Sequence, residues 1–517
     1  MQYLTNEPMF AFVSDSLADD TFGVVAFTGT EQISRCYEFD IVLVSTNKNP
    51  DLPSIVSSPA RLELLPDGEN SEKRVFHGMV TEFEQDREFK EFALYRAKLM
   101  PRLWGLHFIR RNQVFLDKSL PQLAEQILAD GNFSADDYRL SLSAQYEPYE
   151  FVCQYDESHM NFFSRWMEQW GLFYFFEQDQ ERERLVVTDD KNFLSMGPKL
   201  RYRKPKGQRA PEGEEVVYEF SERLSQLPKS LRVKDYNYRT PSLELSGKAD
   251  VDEFGMGEVF LFNQRARNQS ESDRLATLRA EEYACRKVVF PGKSTCSGIM
   301  VGQGFSLKEH FQPDLDGNYL ALSVHHQGAQ ISHLGSGLAS LFPASERWSG
   351  YRNSFEAMPF DVQYRPQLSS EKPLFKGVLP AHVDASGTGQ YAQLDEWGRY
   401  KIRLPFDTAG RGGGKASHWV RKAEPYAGGG YGMHFPLHKG AEVMLVFTGG
   451  DPDRPMILGA AANPECPSPV NASNQTQNAI TTGGNNKLSM QDKKGSEQIL
   501  FHSPKSDTYI KLGNIDD

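Results

Sequence analysis

Residues 442–459 read EVMLVFTGGDPDRPMILG. Val443, Met444, Leu445, Val446 and Phe447 form a continuous apolar run of strand formers, the pattern of a strand covered on both faces. Gly449 and Gly450 permit a turn, Pro452 fixes one φ, and Pro455 removes a ladder donor ahead of a second apolar run at 456–458. The stretch therefore reads as a β-hairpin with a rigid tip. Asp451 and Asp453 have the D-x-D spacing of a metal carboxylate pair. Flanked by Gly and Pro, they read instead as turn residues that bond local backbone N–H groups.

The region around this hairpin, 376–463, is compact and glycine-rich. Tyr400, Ile402, Leu404 and Phe406 alternate with Lys401, Arg403 and Pro405, which makes an amphipathic strand with a solvent face. Further strands fall at 377–383 and 419–422. Short strands at this density imply a small Greek-key barrel of the OB kind. Arg411-Gly412-Gly413-Gly414-Lys415 lacks the first Gly and the following Ser/Thr of a P-loop, so it reads as a flexible loop.

Downstream, 473–517 has no helical period. It alternates weakly: Leu488 and Met490 around Ser489, Ile499 and Phe501 around Leu500, Ile510 and Leu512 around Lys511. Alone, it buries too little to offset an ordering entropy of about 1–2 kcal/mol per residue. Either it stays disordered or it folds against other copies of itself.

Upstream, apolar runs at 10–13, 37–44, 61–65, 75–83 and 92–100 read as strands of a β-barrel or curled sheet. Leu120, Leu123, Ile127 and Leu128 mark a short amphipathic helix between Ser119 as N-cap and Gly131. Ser158 caps a second helix with an apolar stripe of Phe163, Trp166, Met167 and Trp170, ending at Gly171. Leu172 to Phe176 is then a buried aromatic strand, read as domain core rather than a ligand box. The basic loop 201–213 carries Arg201, Arg203, Lys204, Lys206 and Arg209 without interleaved aromatics, as a solvated loop would. Strands at 216–220 and 230–238 precede a long helix expected over 264–289. More strands follow at 304–308 and 319–325, and the polar stretch 364–373 marks a domain boundary.

At 517 residues the chain needs several cores, and 39% hydrophobic with 12% aromatic residues supplies them. A formal net charge of -12 excludes a phosphate-binding footprint, so nucleic acid is not an expected partner. Five scattered cysteines without a C-x-x-C pair point to a reducing compartment. MQYLTNEPMF has no signal-peptide pattern, and no run approaches the roughly 18 apolar residues of a membrane span. Neither H-E-x-x-H nor G-x-S-x-G occurs. His310, His325, His326 and His333 are close in sequence, yet adjacent strand residues point to opposite faces, so no shared metal is expected. Paired carboxylates among 69 acids do not identify a glycosidase.

Four stretches together resemble one family: FVCQYDESHMNFFSRWMEQWGLFYFFE (151–177), YLALSVH (319–325), DEWGRYKIRLPF (395–406) and 440–463 with its GDPDRP. The family is VgrG, the valine-glycine repeat protein G spike of type VI secretion, itself similar to the hub and spike proteins of contractile phage tails. The resemblance covers essentially the whole chain, in the family's order. It departs where the family usually has Tyr-Gly-Arg and this chain has Trp397-Gly398-Arg399.

The resemblance implies a mainly β fold with a few helices, assembled as a homotrimer. Residues 1–367 would be a phage-hub-like region of two β-barrels with inserted helices, stacked on the hexameric Hcp tube. Residues 374–463 would be the OB-fold neck, and 473–517 the start of a triple-stranded β-helix, or β-prism, needle capped by a PAAR-type tip protein. Phage relatives insert a lysozyme after the OB domain, but only 464–472 lie there, so no enzyme is expected. Some members carry an effector domain after the needle; ending at Asp517, this chain carries none or is truncated. Expected partners also include baseplate components and effectors, with transient contact with the target membrane. The protein would assemble in the bacterial cytoplasm and be secreted without a signal peptide. No catalytic, cofactor-binding or metal residues are assigned, and no cofactor is expected. The function implied is a structural spike driven through the target envelope to deliver effectors. The alternative is an envelope-glycan-degrading enzyme or a glycan-binding module.

Overall fold

The computed structural model describes residues 8–18, 21–65, 73–179, 181–204, 214–335, 337–342 and 348–513. The chain forms two compact units. One comprises 1–111, 117–149 and 154–373; the other comprises 112–116, 150–153 and 374–517. Most of the basic loop, 205–213, lies outside the described residues. At its start, Arg201 and Arg203 form exposed ion pairs with Glu309 and Glu214.

The first unit begins with six strands: β1 (Phe10–Ser14), β2 (Gly23–Gln32), β3 (Glu38–Ser45), β4 (Pro59–Leu64), β5 (Arg74–Phe89) and β6 (Phe92–Met100). They run in the order β1-β4-β5-β6-β3-β2, and β2 returns to β1 through Ala11 and Gly23, closing a barrel. Phe12, Phe27, Phe39, Leu62, Phe76 and Leu99 fill it. β2 is not among the strands expected from the sequence, and it carries Gly29 in its middle. A Cβ there would sit 2.2 Å from the Phe39 ring, so the neighbouring strand's aromatic imposes the glycine.

A second barrel uses β7 (Met196–Arg201), β8 (Val217–Phe220), β9 (Val288–Ser294), β10 (Gly304–Lys308), β11 (Gly317–Gln330) and β12 (Ser349–Pro359). β11, β12, β9 and β8 are successive antiparallel neighbours, and β10 joins β7 to β11. A bridge from Tyr202 to Val217 completes the ring. Phe220, Phe290, Phe305, Tyr319 and Phe355 pack inside it. β2 pairs with β11 from Ala26↔Ala329 to Gln32↔Ser323, so both barrels share one thirteen-stranded sheet.

Helices decorate these barrels. α1 (Leu120–Asp130) starts with a capping box between Ser119 and Gln122, and α2 (His159–Gln169) starts where the Ser158 side chain accepts from the Asn161 N–H. Gly171, at φ +71°, ends the second helix as a left-handed residue. The aromatic strand that follows, Phe173–Gln178, pairs with Glu183–Thr188. α3 spans only Gln269–Ala284, not 264–289. Asn268 caps it by accepting from the Glu271 N–H, Asn263 and Arg265 sit at positive φ ahead of it, and β-branched Val288 and Val289 already belong to β9.

Glu183 lies deep in this unit. Its carboxylate accepts from the Arg102 N–H at 2.6 Å and from the Tyr37 hydroxyl. Burial raises its acid to about 7, only partly offset by those donors. A folded-state value above the unfolded 4.5 favours the folded state fully below pH 4.5 and costs stability as pH rises through 7. Glu183→Gln should therefore stabilise the protein by about 2 kcal/mol at pH 8, a gain that vanishes toward pH 4.5. Urea unfolding at the two pH values measures it; an equal effect at both would refute the assignment.

The second unit holds a small barrel of β13 (Leu379–Asp384), β14 (Lys401–Arg403), β15 (Glu442–Phe447) and β16 (Pro455–Ala460), in the order β14-β13-β15-β16. Residues 420–422 close it through the bridges Tyr400↔Val420 and Lys422↔Ile457. Ala381, Val383, Tyr400, Ile402, Val443, Leu445 and Ile457 are its core. β15 and β16 form the expected hairpin, from Val443↔Ala460 to Phe447↔Pro455. β15 is not covered on both faces, however. Val443, Leu445 and Phe447 are buried while Met444 and Val446 are half-buried, as in a barrel wall.

Residues 477–513 form a four-stranded antiparallel meander: β17 (Gln477–Thr481), β18 (Lys487–Gln491), β19 (Gln498–Ser503) and β20 (Thr508–Gly513).

Candidate functional site: the GDPDRP turn and the open apolar sheet

Gly449 and Gly450 take left-handed φ values of 64° and 76°, which only glycine adopts at little cost. They let the chain reverse so that the Thr448 N–H reaches the Arg454 carbonyl and the Arg454 N–H reaches the Asp451 carbonyl. Asp451 Oδ1 accepts from the Asp453 N–H at 3.1 Å, the local turn bond expected of it. Asp453 does something else. Its Oδ1 accepts from the Cys153 N–H at 2.5 Å, a group 300 positions away in sequence, and both aspartates are almost fully buried. The Phe375 N–H also donates to the Gly450 carbonyl, and the Phe375 ring stacks on Phe447 at 4.3 Å. The turn thus ties two remote segments to the hairpin, and Asp453 is a long-range acceptor rather than only a turn residue.

Asp453→Ala would leave the buried Cys153 N–H without that acceptor, at about 2–3 kcal/mol. Asp453→Asn keeps an oxygen in place and should lose about 1 kcal/mol. Urea unfolding separates the two; equal losses would show that the carboxylate oxygen is not what matters.

The glycine-rich 411–415 loop is anchored, not free. Asp384 accepts from the Gly414 and Ala416 N–H groups at 2.8 and 3.3 Å, and Arg411 donates to the Val114 carbonyl. Its amides serve an internal carboxylate in the way that a P-loop serves a phosphate.

The four histidines do not converge. His325 is exposed beside Thr30, His310 packs on Tyr202, and His333 sits in a 3-10 turn. His326 is buried in a network absent from the sequence reading. Its Nε2 faces Glu31 Oε1 at 2.9 Å, and its Nδ1 faces the Tyr351 hydroxyl at 2.6 Å. Glu31 also takes Arg74 Nη2 at 2.7 Å, and the Tyr351 hydroxyl takes Asn353 Nδ2 at 3.0 Å. One assignment satisfies every bond: Asn353 donates to Tyr351, Tyr351 to Nδ1, and Nε2–H to Glu31. Burial keeps the imidazole below its usual range; burial alone would raise Glu31, but Arg74 and His326 outweigh it and hold that acid low. Glu31 and Arg74 belong to the first barrel, and His326, Tyr351 and Asn353 to the second. The only signal in the sequence was a doublet of histidines on one strand.

Among the described residues, no group of three or more His, Cys, Asp or Glu is placed to hold a metal ion. No helix among them is long and apolar enough to cross a membrane.

The meander is the other candidate. Residues opposite each other in a sheet share a face, and so do residues two apart along a strand. Ile480, Leu488, Phe501 and Ile510 are mutual partners, as are Met490, Ile499 and Leu512. Seven apolar side chains therefore occupy one face of one small sheet. Among the described residues nothing covers it: Phe501 is 47% exposed, Ile510 62% and Leu512 53%. The opposite face carries Ala479, Ser489, Leu500 and Lys511.

Two fused β-barrels, a small closed barrel and an uncovered β-meander define a contractile-injection hub with a spike segment. The phage tail baseplate hub (GPD) family matches residues 30–331, and the type VI secretion system/phage-baseplate injector OB domain matches residues 392–461. The chain belongs to the phage tail baseplate hub family.

It is 30% identical to the type VI secretion system spike protein VgrG4b of Pseudomonas aeruginosa over 96% of this chain and 62% of that protein. It is 29% identical to VgrG5 of the same organism, over 96% of this chain and 64% of the relative. The chain thus spans less than two thirds of the length of either. In fold, it matches an E. coli type VI secretion component described as structurally similar to the T4 phage tail proteins gp27 and gp5. That match has a TM-score of 0.62 and 23% identity, and covers 87% of this chain and 99% of the other.

Proposed function

We propose that this chain is a structural spike subunit of a type VI secretion system, acting as a homotrimer. The observation that carries the proposal is the apolar face of the meander, exposed in a single chain. An open sheet with seven apolar side chains on one face and unpaired edges cannot stay solvated as it stands. Three copies wrapped about an axis would turn those faces inward and pair the edges, so folding of the segment and trimerisation become one event.

In this reading, residues 1–367 form the hub platform that seats on an Hcp tube, 374–463 form the neck, and 473–517 begin the needle that carries a PAAR-type tip. Assembly takes place on the baseplate in the bacterial cytoplasm. Sheath contraction then drives the trimer outward through a target envelope with its effectors. Mechanical stiffness takes the place of catalysis: the buried ties at Asp453 and at His326 resist shear without taking part in a reaction.

Light scattering of the full chain at micromolar concentration tests the proposal, with the mass of three chains as the expected result. A monomer would overturn it. The competing reading, an envelope-glycan enzyme or binding module, requires turnover of, or affinity for, peptidoglycan fragments in the same preparation.

A further inference from the structure

We infer that the hairpin arm 426–435 of the small barrel docks on a second copy of this chain. The inference rests on the trimeric reading above and assigns it a specific contact. The arm is YAGGGYGMHF. Its two short strands, Ala427–Gly428 and Tyr431–Gly432, pair around a Gly429-Gly430 tip, and the Met433 N–H donates to the Tyr426 carbonyl. Tyr426 and Tyr431 are each 60% exposed, and Met433 and Phe435 each 45%.

The base of the arm is rigid where the tip is bare. Lys422 Nζ lies 3.0 Å from both carboxylate oxygens of Glu424 and also donates to the Phe435 carbonyl. His434 Nδ1 meets Glu424 at 2.8 Å, and the Leu437 N–H donates to the hydroxyl of fully buried Tyr400. A hairpin held this firmly keeps four apolar side chains in water at a fixed orientation. That arrangement preorganises a contact.

Three features select a second copy as the occupant. First, the chemistry is apolar: between Tyr426 and Leu437 the side chains that hydrogen-bond are two tyrosines and His434, and His434 is engaged by Glu424. A glycan site needs several convergent polar groups beside its rings, and the arm offers only two tyrosine hydroxyls. Second, the arm is continuous with the other uncovered surface. Three residues beyond Phe435, the His438 ring lies against Gly483, where an added Cβ would sit 2.4 Å from it, and Gly483 is in the turn that opens the meander. Third, the area fits. The exposed halves of these side chains amount to roughly 300–400 Å². In a closed ring each copy gives one arm and receives one, so each copy buries roughly 600–800 Å² in arm contacts, an addition to the meander interface rather than a standard interface of its own.

The test uses the full chain with Tyr431 replaced by photoreactive p-benzoylphenylalanine, a change at an exposed ring. Mass is read by light scattering before irradiation, and covalent species by denaturing gel after it. A trimeric particle that yields chain-to-chain adducts supports the inference. A trimeric particle that yields none overturns the inference and leaves the trimer standing. A monomer overturns the trimeric reading and the arm contact with it.

Discussion

Arg74→Met is expected to destabilise the first unit by about 3–5 kcal/mol at pH 7, the cost of stripping one partner from a buried ion pair. Arg74 and Glu31 are 2.7 Å apart and nearly solvent-free. Arg74 also donates to the Ile299 and Ser297 carbonyls and lies over the Phe76 ring at 4.3 Å. Methionine fills much of the volume, so the loss reports charge and hydrogen bonds more than a cavity. Glu31 would then keep only His326 and the Val301 backbone as partners, and its acid, now held below 4.5, would rise. A folded-state value above the unfolded one stabilises only below the unfolded value, so the penalty should shrink as pH falls toward 4.

The unmodified protein behaves in the opposite sense. His326 is held below 6.5, so its contribution is present above pH 6.5 and is lost as pH falls from there toward the folded value. Adding Glu31→Gln to Arg74→Met should recover a large part of the loss at pH 7, because the uncompensated charge is gone. Urea unfolding of the single and double variants, at pH 7 and pH 4.5, is the measurement. A loss under about 1 kcal/mol, or no recovery in the double variant, would show that the network does not tie the barrels together.

The parts of this structure that were legible in the sequence are those whose causes are local. Ser119 with Gln122, Ser158 with Asn161, and Gly171 mark helix ends within a few residues of themselves. The alternation of Tyr400, Ile402 and Leu404 with Lys401 and Arg403 needs nothing beyond one strand. The reversal at Gly449-Gly450 was equally plain.

What was not legible depends on partners far away in the chain. The glycine at position 29 in β2, a strand not expected, answers to the Phe39 ring on a neighbouring strand. The long role of Asp453 answers to Cys153. The anchoring of Gly414 answers to Asp384, and the His326 network draws on strands from two barrels. In the helix expected over 264–289, the error lay in its ends. There the cap at Asn268 and the pull of β9 on Val288 compete with a continuous charged pattern.

The meander combines both cases. Its alternation was visible, but the four strands' register, which places seven apolar residues on a single face, is a property of pairing and not of any one strand. That register leads to the second large expectation. Replacing Phe501 and Ile510, cross-strand partners on the apolar face, by aspartate should reduce the particle from three chains to one. Each aspartate removes about 1.5–3 kcal/mol of side-chain burial, so the six changes in a trimer remove on the order of 10 kcal/mol before any charge is desolvated. Like charges placed directly opposite each other add repulsion, and a buried carboxylate without a partner adds more.

The single chain should be indifferent to the same changes, since both side chains are already exposed there. The first unit should therefore unfold at an unchanged urea midpoint, which separates lost assembly from general misfolding. Lys511→Asp on the opposite face is the control and should leave the mass at three chains. A Phe501→Asp/Ile510→Asp particle that still scatters as three chains would show that this face does not hold the assembly together, and the trimer would then have to be held by the hub or by the 426–435 arm.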